Sequence, residues 1–440
     1  MKILIIDTYK DVPYRISKDT SGGYGTGNNF GNSIFTNFLK KTLKKVHDWP
    51  PMFSVYTHSV LLEKGHDVDF LQDLPYDFEK YDLFIITSSI VCCETEINLI
   101  NKIKKKKNSI FAIGPFATNK PKIYSEAGAT VLSGEPEFYF LQSNNFFDDC
   151  KKDIIFIKHN YELNDLPFPK WNNIIKNTRK VSLLFGNYST LPILATRGCP
   201  YSCFKYCVYP LQQGRKIRQR SPKNIVDEME YYKKNMNVEM FVFRDPVFSV
   251  NRNHTIELVN ELKNRKLNIR FIIETHLRIL DTELINLLKS VGLQGCKIGV
   301  ESADEEVMKN VNRFTIKKDS QYEKIRELEA NKIQVSAMFI IGFPSDNENT
   351  ILNTINYAMR LNTTYAQFSV WTPYPGTPIF KEFANKILTK KFEDFDQYKL
   401  VYKHANLNEF KLRKLLEKAY ENYYIRFSWI KKFVFSFINA

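Results

Sequence analysis

Along the first 140 residues, apolar side chains come in short unbroken blocks separated by polar stretches that hold the turn residues. Residues 3–6 (Ile-Leu-Ile-Ile), 83–87, 110–113 and 130–132 are such blocks, and 67–71 is a further strand candidate. A strand that is apolar at nearly every position is buried on both faces, as in parallel sheets covered by helices. Between the first two strand candidates the pattern turns helical over 55–64 and stops at Gly65, a C-terminal glycine signal. This rhythm predicts an α/β fold with a doubly wound, Rossmann-like sheet, whose ligands sit beyond the carboxyl ends of its strands. Those ends carry Thr87, Ser88 and Ser89, then Gly114, then Gly134 and Glu135. Hydroxyls and glycine backbone at such places let a bulky cofactor approach closely. A glycine-rich stretch, Ser21-Gly-Gly-Tyr-Gly-Thr-Gly27, lacks the Lys-Ser/Thr of a nucleotide loop and reads as a loop near this cofactor face. Residues 47–51, with Trp49 and tandem prolines, read as a turn.

The regularity fades over 141–190, where a short strand, 154–157, precedes the punctuation Leu166-Pro-Phe-Pro-Lys-Trp171. The reading is a first domain over 1–150, a linker over 151–190 and a second domain over 191–380. In that second domain strand candidates recur at 191–195, 240–243, 269–273, 296–299, 335–341 and 366–371. Helical stretches fall between them at 222–234, 253–263, 281–291, 320–331 and 347–361. Six strand–helix units predict a partial parallel barrel of the (β/α)6 kind, with functional residues at the carboxyl ends of the strands. All six ends are polar or glycine-bearing: a cysteine loop, Asp245 beside Arg244, Glu274-Thr-His276, Glu301-Ser302, Gly342, and Thr372-Pro-Tyr-Pro-Gly-Thr377. The remaining residues, 381–440, read as a helical extension that is both basic and aromatic.

The cysteine loop carries the most specific chemistry. Cys199, Cys203 and Cys207 lie within nine residues, and Pro200 and Pro210 keep the segment from forming an ordinary helix. Thiolates this close repel one another unless a metal or cluster takes up their charge. Three is one short of the usual four cysteines of an iron–sulfur cluster, which leaves one iron open to another ligand. Zinc is the weaker rival, since no His or second Cys pair stands at finger-like spacing. Cys296, inside a strand, reads as a small buried hydrophobe, and His254 and His276 read as structural or solvated rather than catalytic.

Ala-Thr-Arg-Gly-Cys-Pro-Tyr-Ser-Cys, followed by Lys-Tyr-Cys-Val-Tyr-Pro, resembles the cluster loop of radical S-adenosylmethionine (SAM) enzymes, and more narrowly their cobalamin-binding branch. Gly299-Val-Glu-Ser302, Phe339-Ile-Ile-Gly-Phe-Pro344 and Thr372 to Thr377 are similar to the family's later strand signatures. Ala-Ile-Gly-Pro-Phe-Ala and Leu-Ser-Gly-Glu-Pro-Glu are similar to its upstream cobalamin domain. The spacing departs from the family at one place: three residues, not two, separate Cys203 from Cys207. The cobalt-ligating His motif is not visible, because His58 and His66 lack its Asp and Gly partners. The resemblance implies a 4Fe-4S cluster on Cys199, Cys203 and Cys207, and SAM held by Asp245, Glu274, Glu301, Ser302 and Gly342. Arg278 reads either as a carboxylate clamp, through bidentate pairing of its guanidinium, or as a surface arginine. It also implies cobalamin against Thr87, Ser88, Ser89, Gly114, Gly134 and Glu135. The implied reaction is methylation of an unactivated carbon on a small-molecule or lipid-like substrate, with flavodoxin or ferredoxin as the electron donor.

Composition adjusts this picture at the margins. The 440 residues are 43% hydrophobic and 25% charged, enough apolar material for two cores. Seven cysteines, an odd count, argue against a secreted disulfide framework, and no apolar run is long enough for a membrane span, so the expected location is the cytoplasm. The net charge of +15 is dispersed along lysine-rich helices and identifies no nucleic-acid partner. The aromatic and basic residues of 420–440 would allow peripheral membrane contact, or they pack on the barrel. Two other readings stand beside the methyltransferase: a radical SAM enzyme of another type (ring-forming, oxidative or RNA-modifying) and a non-catalytic scaffold that has lost its cluster.

Overall fold

The computed structural model describes residues 1–44, 49–72, 77–105, 109–158, 161–175, 179–181 and 188–438. Residues 47 and 48 of the turn read at 47–51 lie outside them.

Six parallel strands form the first sheet: β1 (Lys2–Ile6), β2 (Asp67–Leu71), β3 (Leu83–Thr87), β4 (Ser109–Ile113), β5 (Thr130–Ser133) and β6 (Ile154–Phe156), in the order β2-β1-β3-β4-β5-β6. Every side chain of β3 is buried, as its unbroken apolar run requires. Residues 154–156, which the sequence reading left in the linker, instead pair with β5 in parallel and close that edge of the sheet. Helix Met52–Glu63 is buried at every position from Met52 to Leu61. Such a helix must be covered on all sides, and two of its hydroxyls bond within it: Thr57 donates to Phe53 O and Ser59 to Val55 O. His58 on this helix is buried, and burial pushes its imidazole down to about 4.

The second sheet curls into a partial barrel of seven strands: β7 (Arg179–Val181), β8 (Tyr188–Ile193), β9 (Met240–Phe243), β10 (Arg270–Thr275), β11 (Leu293–Glu301), β12 (Gln334–Ile341) and β13 (Tyr365–Val370). Six run parallel in sequence order, and β7 adds an antiparallel edge beside β8. The covering helices start where side-chain caps exist: Ser221, Asn251, Asp281 and Asn347 each accept a backbone N–H of the following turn. On β11 the buried and partly open positions alternate, which turns Lys297, Gly299 and Glu301 toward the barrel lumen.

The segment after the barrel is less helical than the sequence suggests. Short turns fill 384–408, and long helices return only at Glu409–Tyr424 and Phe427–Ile438. The first packs its tyrosines on the free edge of the barrel. Tyr420 OH accepts from Phe368 N at 3.2 Å and donates to Phe368 O at 2.8 Å. Tyr424 OH does the same for Ala366, at 3.1 and 2.6 Å. Phenol groups thus occupy the backbone groups of β13 that would otherwise be an open template for pairing. No helix of the described residues is long and apolar enough to cross a membrane.

Candidate active site

The cysteine loop leaves β8 and is closed at its base by a two-residue ribbon, Thr196–Arg197 paired with Arg218–Gln219. Gly198 stands just inside with φ +95°, and a Cβ there would run into the carbonyl of Lys216, so glycine is required. Cys199 N donates to Gly214 O at 3.2 Å, which folds the loop back on itself. Ser202–Lys205 form a short 3-10 turn, and Cys207 N donates to Cys203 O at 3.0 Å. This i to i+4 bond explains the longer spacing: the additional residue completes a helical turn and keeps the last two sulfurs on one side. Cys207 donates its thiol proton to Cys203 and rises well above the usual thiol range. That hydrogen bond, with Arg313 at 3.6 Å from the sulfur, pulls Cys203 down to about 6. Three soft donors on one tight loop, with a guanidinium to balance thiolate charge, fit an iron–sulfur cluster. Among the described residues no three His, Cys, Asp or Glu side chains converge as a single metal ion requires.

Below the loop a cavity of about 260 Å³ opens inside the barrel. Cys207, Tyr206, Arg244, Glu274, Lys297 and Glu301 line it. Glu301 sits at a register shift of β11 with φ +67°, a left-handed conformation that costs energy for a non-glycine residue. It pairs with Arg313 at 3.0 Å, so one arginine ties the end of β11 to the cysteine loop. Nothing in the sequence pattern singled out Arg313, which lies in a polar loop. Glu274 faces the cavity with no side-chain hydrogen bond, and burial pushes its carboxyl up.

The other residues expected to hold SAM lie outside the cavity wall. Asp245 is buried and accepts from Ala195 N at 3.2 Å, pinning the start of the cysteine loop, and burial raises it to about 6. Ser302 Oγ meets Thr354 Oγ1 at 3.1 Å and accepts from Asp304 N at the start of helix Glu305–Asn310. Gly342 O accepts from Tyr402 OH at 2.8 Å. Arg278 is exposed and lies 4.3 Å from the centre of the Phe314 ring, away from the cavity. His276 bonds Phe314 O and His254 bonds Arg220 O, both structural arrangements.

At the strand ends of the first sheet the chain supplies its own occupants. Thr87, Ser88 and Ser89 are all fully buried. Thr87 Oγ1 bonds Ser54 Oγ at 2.9 Å, Ser88 Oγ accepts from Ala117 N, and Ser89 Oγ donates to Glu96 at 2.8 Å. Lys18, arriving from the loop after β1, bonds Thr87 O at 3.1 Å and pairs with Glu96 at 2.8 Å and Asp7 at 3.4 Å. Burial alone would lower its ammonium, but the two carboxylates raise it. Gly22 and Gly23, at φ +58° and +85°, then thread between Tyr209 of the cysteine loop and Phe53 and Pro115. Tyr24 closes the segment by donating to Pro375 O at 2.7 Å. The space left there, beside Asp19, Glu135 and Arg197, is about 50 Å³. Thr87, Ser88 and Ser89 do not line that space, and their hydroxyls are spent within the chain.

Gly134 N accepts no ligand role here and donates to Thr118 Oγ1, while Gly114 precedes helix Pro115–Asn119. Glu135 pairs with Arg197, and with Arg218 at 2.6 Å, and Glu137 pairs with Arg197 at 2.5 Å. These carboxylates reach from the first sheet to the base of the cysteine loop.

Residues 193–358 match the Radical SAM superfamily. An uncharacterized methyltransferase of Pyrococcus horikoshii is 24% identical over 414 residues, covering 86% of this chain and 88% of the relative. The bacteriochlorophyllide d C-12(1)-methyltransferase of Chlorobaculum tepidum is 25% identical over 365 residues, covering 80% and 78%. Among solved structures, the radical SAM methyltransferase TsrM of Kitasatospora setae, with cobalamin and a 4Fe-4S cluster bound, superposes with a TM-score of 0.63 at 16% identity, covering 87% of this chain and 74% of that one.

Proposed function

The barrel half of this chain is a radical SAM domain, and from that premise we propose that the protein is a methyltransferase that cleaves SAM reductively and methylates a small-molecule or lipid-like substrate at an unactivated carbon. One observation carries the reading: three cysteines on a single tight loop, one of them in the wall of a partly polar cavity. Cys199, Cys203 and Cys207 would hold a 4Fe-4S cluster, which would supply the electron for cleavage of SAM, and the hard chemistry belongs to the cofactors. The chain positions them. Arg313 balances the thiolate charge, Glu301 holds Arg313, and Tyr206, Trp371 and Met338 keep the cavity wall largely apolar, which limits quenching of a radical by water.

The named methyltransferase relatives support methyl transfer, and TsrM supports cobalamin as the second cofactor. Thr87, Ser88, Ser89, Gly114, Gly134 and Glu135 would be the residues to hold it. A second reading is a radical SAM reaction of another type. Flavodoxin or ferredoxin would supply electrons in either case.

Anaerobic reconstitution with iron and sulfide, followed by electron paramagnetic resonance with and without SAM, tests the core of this. The expected result is a reducible cluster whose signal SAM perturbs, with 5′-deoxyadenosine released under reduction, both lost in Cys207→Ala. A protein that assembles no cluster under any condition refutes it in favour of the scaffold. Hydroxocobalamin in the same reconstitution separates the two enzyme readings by its absorbance.

A further inference from the structure

Strands β10, β11 and β12 set Glu274, Lys297 and Ser336 side by side: Glu274 is in register with Lys297, and Lys297 with Ser336. All three line the barrel cavity. A polar row at this depth is unusual for a parallel barrel, whose interior is ordinarily filled by branched apolar side chains. Two other pairs around the cavity are closed, Arg244 with Asp19 at 2.8 Å and Glu301 with Arg313 at 3.0 Å. Lys297 and Glu274 are not paired in this way. Among the described residues the Lys297 ammonium has no hydrogen bond and no carboxylate within ion-pair distance, although Glu274 stands on the neighbouring strand and Asp19, Arg244 and Arg15 are near enough to be felt. A cation buried in a cavity wall without an ion-pair partner is costly unless something enters to pair with it.

We propose that Lys297 is a specificity-determining residue that binds a carboxylate on the substrate, with Glu274 and Ser336 receiving a neighbouring polar group. This rests on the radical SAM reading and narrows its substrate to a small carboxylic acid. Glu274 is the other charge of this row, so a second negative charge on the ligand, as on a phosphate, would face it uncompensated. Burial lowers the Lys297 ammonium to about 8 and raises the Glu274 carboxyl, as withdrawal from water does to charged groups. The carboxylate would restore the charged form of the lysine on binding.

The test uses the reconstituted protein with SAM bound. Benzoate, phenylacetate and hexanoate, each beside its primary amide, are titrated by calorimetry into the native chain, Lys297→Met and Lys297→Arg. The expected result is at least one acid bound tenfold or more tighter than its amide by the native chain. That preference falls to within twofold in Lys297→Met and returns in part in Lys297→Arg. The SAM-dependent change in the cluster signal stays intact in all three. No preference for any acid in the native chain overturns the inference, as does a preference that survives Lys297→Met. Loss of the SAM effect in Lys297→Met would reassign the lysine to SAM and also overturn it. A native chain with no SAM effect at all fails the radical SAM reading itself, a separate outcome.

Discussion

Replacing Lys18 by Met removes the one cation that stands between two fully buried carboxylates. The Nζ atom lies 2.8 Å from Glu96 and 3.4 Å from Asp7, with all three side chains at 0% exposure. At an effective dielectric of about 20 these separations correspond to roughly 6 and 5 kcal/mol of gross attraction. Much of that offsets the desolvation of the ammonium, so the net loss is the smaller figure for breaking a buried pair from one side, about 3–5 kcal/mol. Urea denaturation checks this, with the slope compared to exclude a change in the unfolded ensemble. Glu96 already titrates high because of burial, and without Lys18 it rises further. A carboxyl raised in the folded state loses stability as pH climbs through its folded value and regains it as pH falls. The deficit of Lys18→Met is therefore largest near pH 8 and shrinks toward pH 5. The double variant Lys18→Met/Glu96→Gln recovers at least about 1 kcal/mol, because it removes one stranded charge. A single-variant cost below about 1 kcal/mol, or a double no better than the single, refutes the buried-pair account.

Other expectations follow from the same geometry. Gly198→Ala puts a methyl group against the Lys216 carbonyl at a positive φ, and should cut the iron retained after reconstitution by half or more without unfolding the barrel by circular dichroism. Arg313→Met, which leaves Cys203 and Glu301 without their guanidinium, should yield a cluster that loses iron severalfold faster under oxygen; an unchanged loss rate would remove Arg313 from the site. Tyr420→Phe/Tyr424→Phe exposes the backbone of β13 and should cost about 1–3 kcal/mol, with concentration-dependent association seen by light scattering.

The architecture was legible because burial on both faces leaves an unmistakable mark: unbroken apolar runs give most strands of both sheets. Strand β6 was read as a short strand but placed in the linker, because an edge strand three residues long, with Phe156 exposed, carries too little pattern to tie it to the first sheet. Glu274 and Glu301 could be read at strand ends, and the structure brings both to one cavity with Cys207. Ser302 and Gly342 fell one step outside it, since a strand-end rule gives position along the axis and not which way a side chain turns. Lys297 and Arg313 were invisible for different reasons. The first sits inside a run read as core, and the second reaches the cysteines only through a fold that brings residue 313 beside residue 203. At the first sheet, Thr87 to Ser89 were found by position, but Lys18 could not be foreseen as their partner from a polar loop almost seventy residues away.

The grip of Glu135 and Glu137 on Arg197 has a consequence for how this chain can be rearranged. Arg197 stands two residues before Cys199, so the first half of the molecule helps to hold the loop that defines the second. A barrel cut free at residue 188 would present that arginine and Arg218 without their carboxylates. Grafting the barrel of one relative onto the first domain of another would mismatch the same contact unless residues 134–137 and 197–218 travelled together. The two halves therefore fit as a matched pair, and a chimera that ignores the match should fold in both parts yet fail to retain iron.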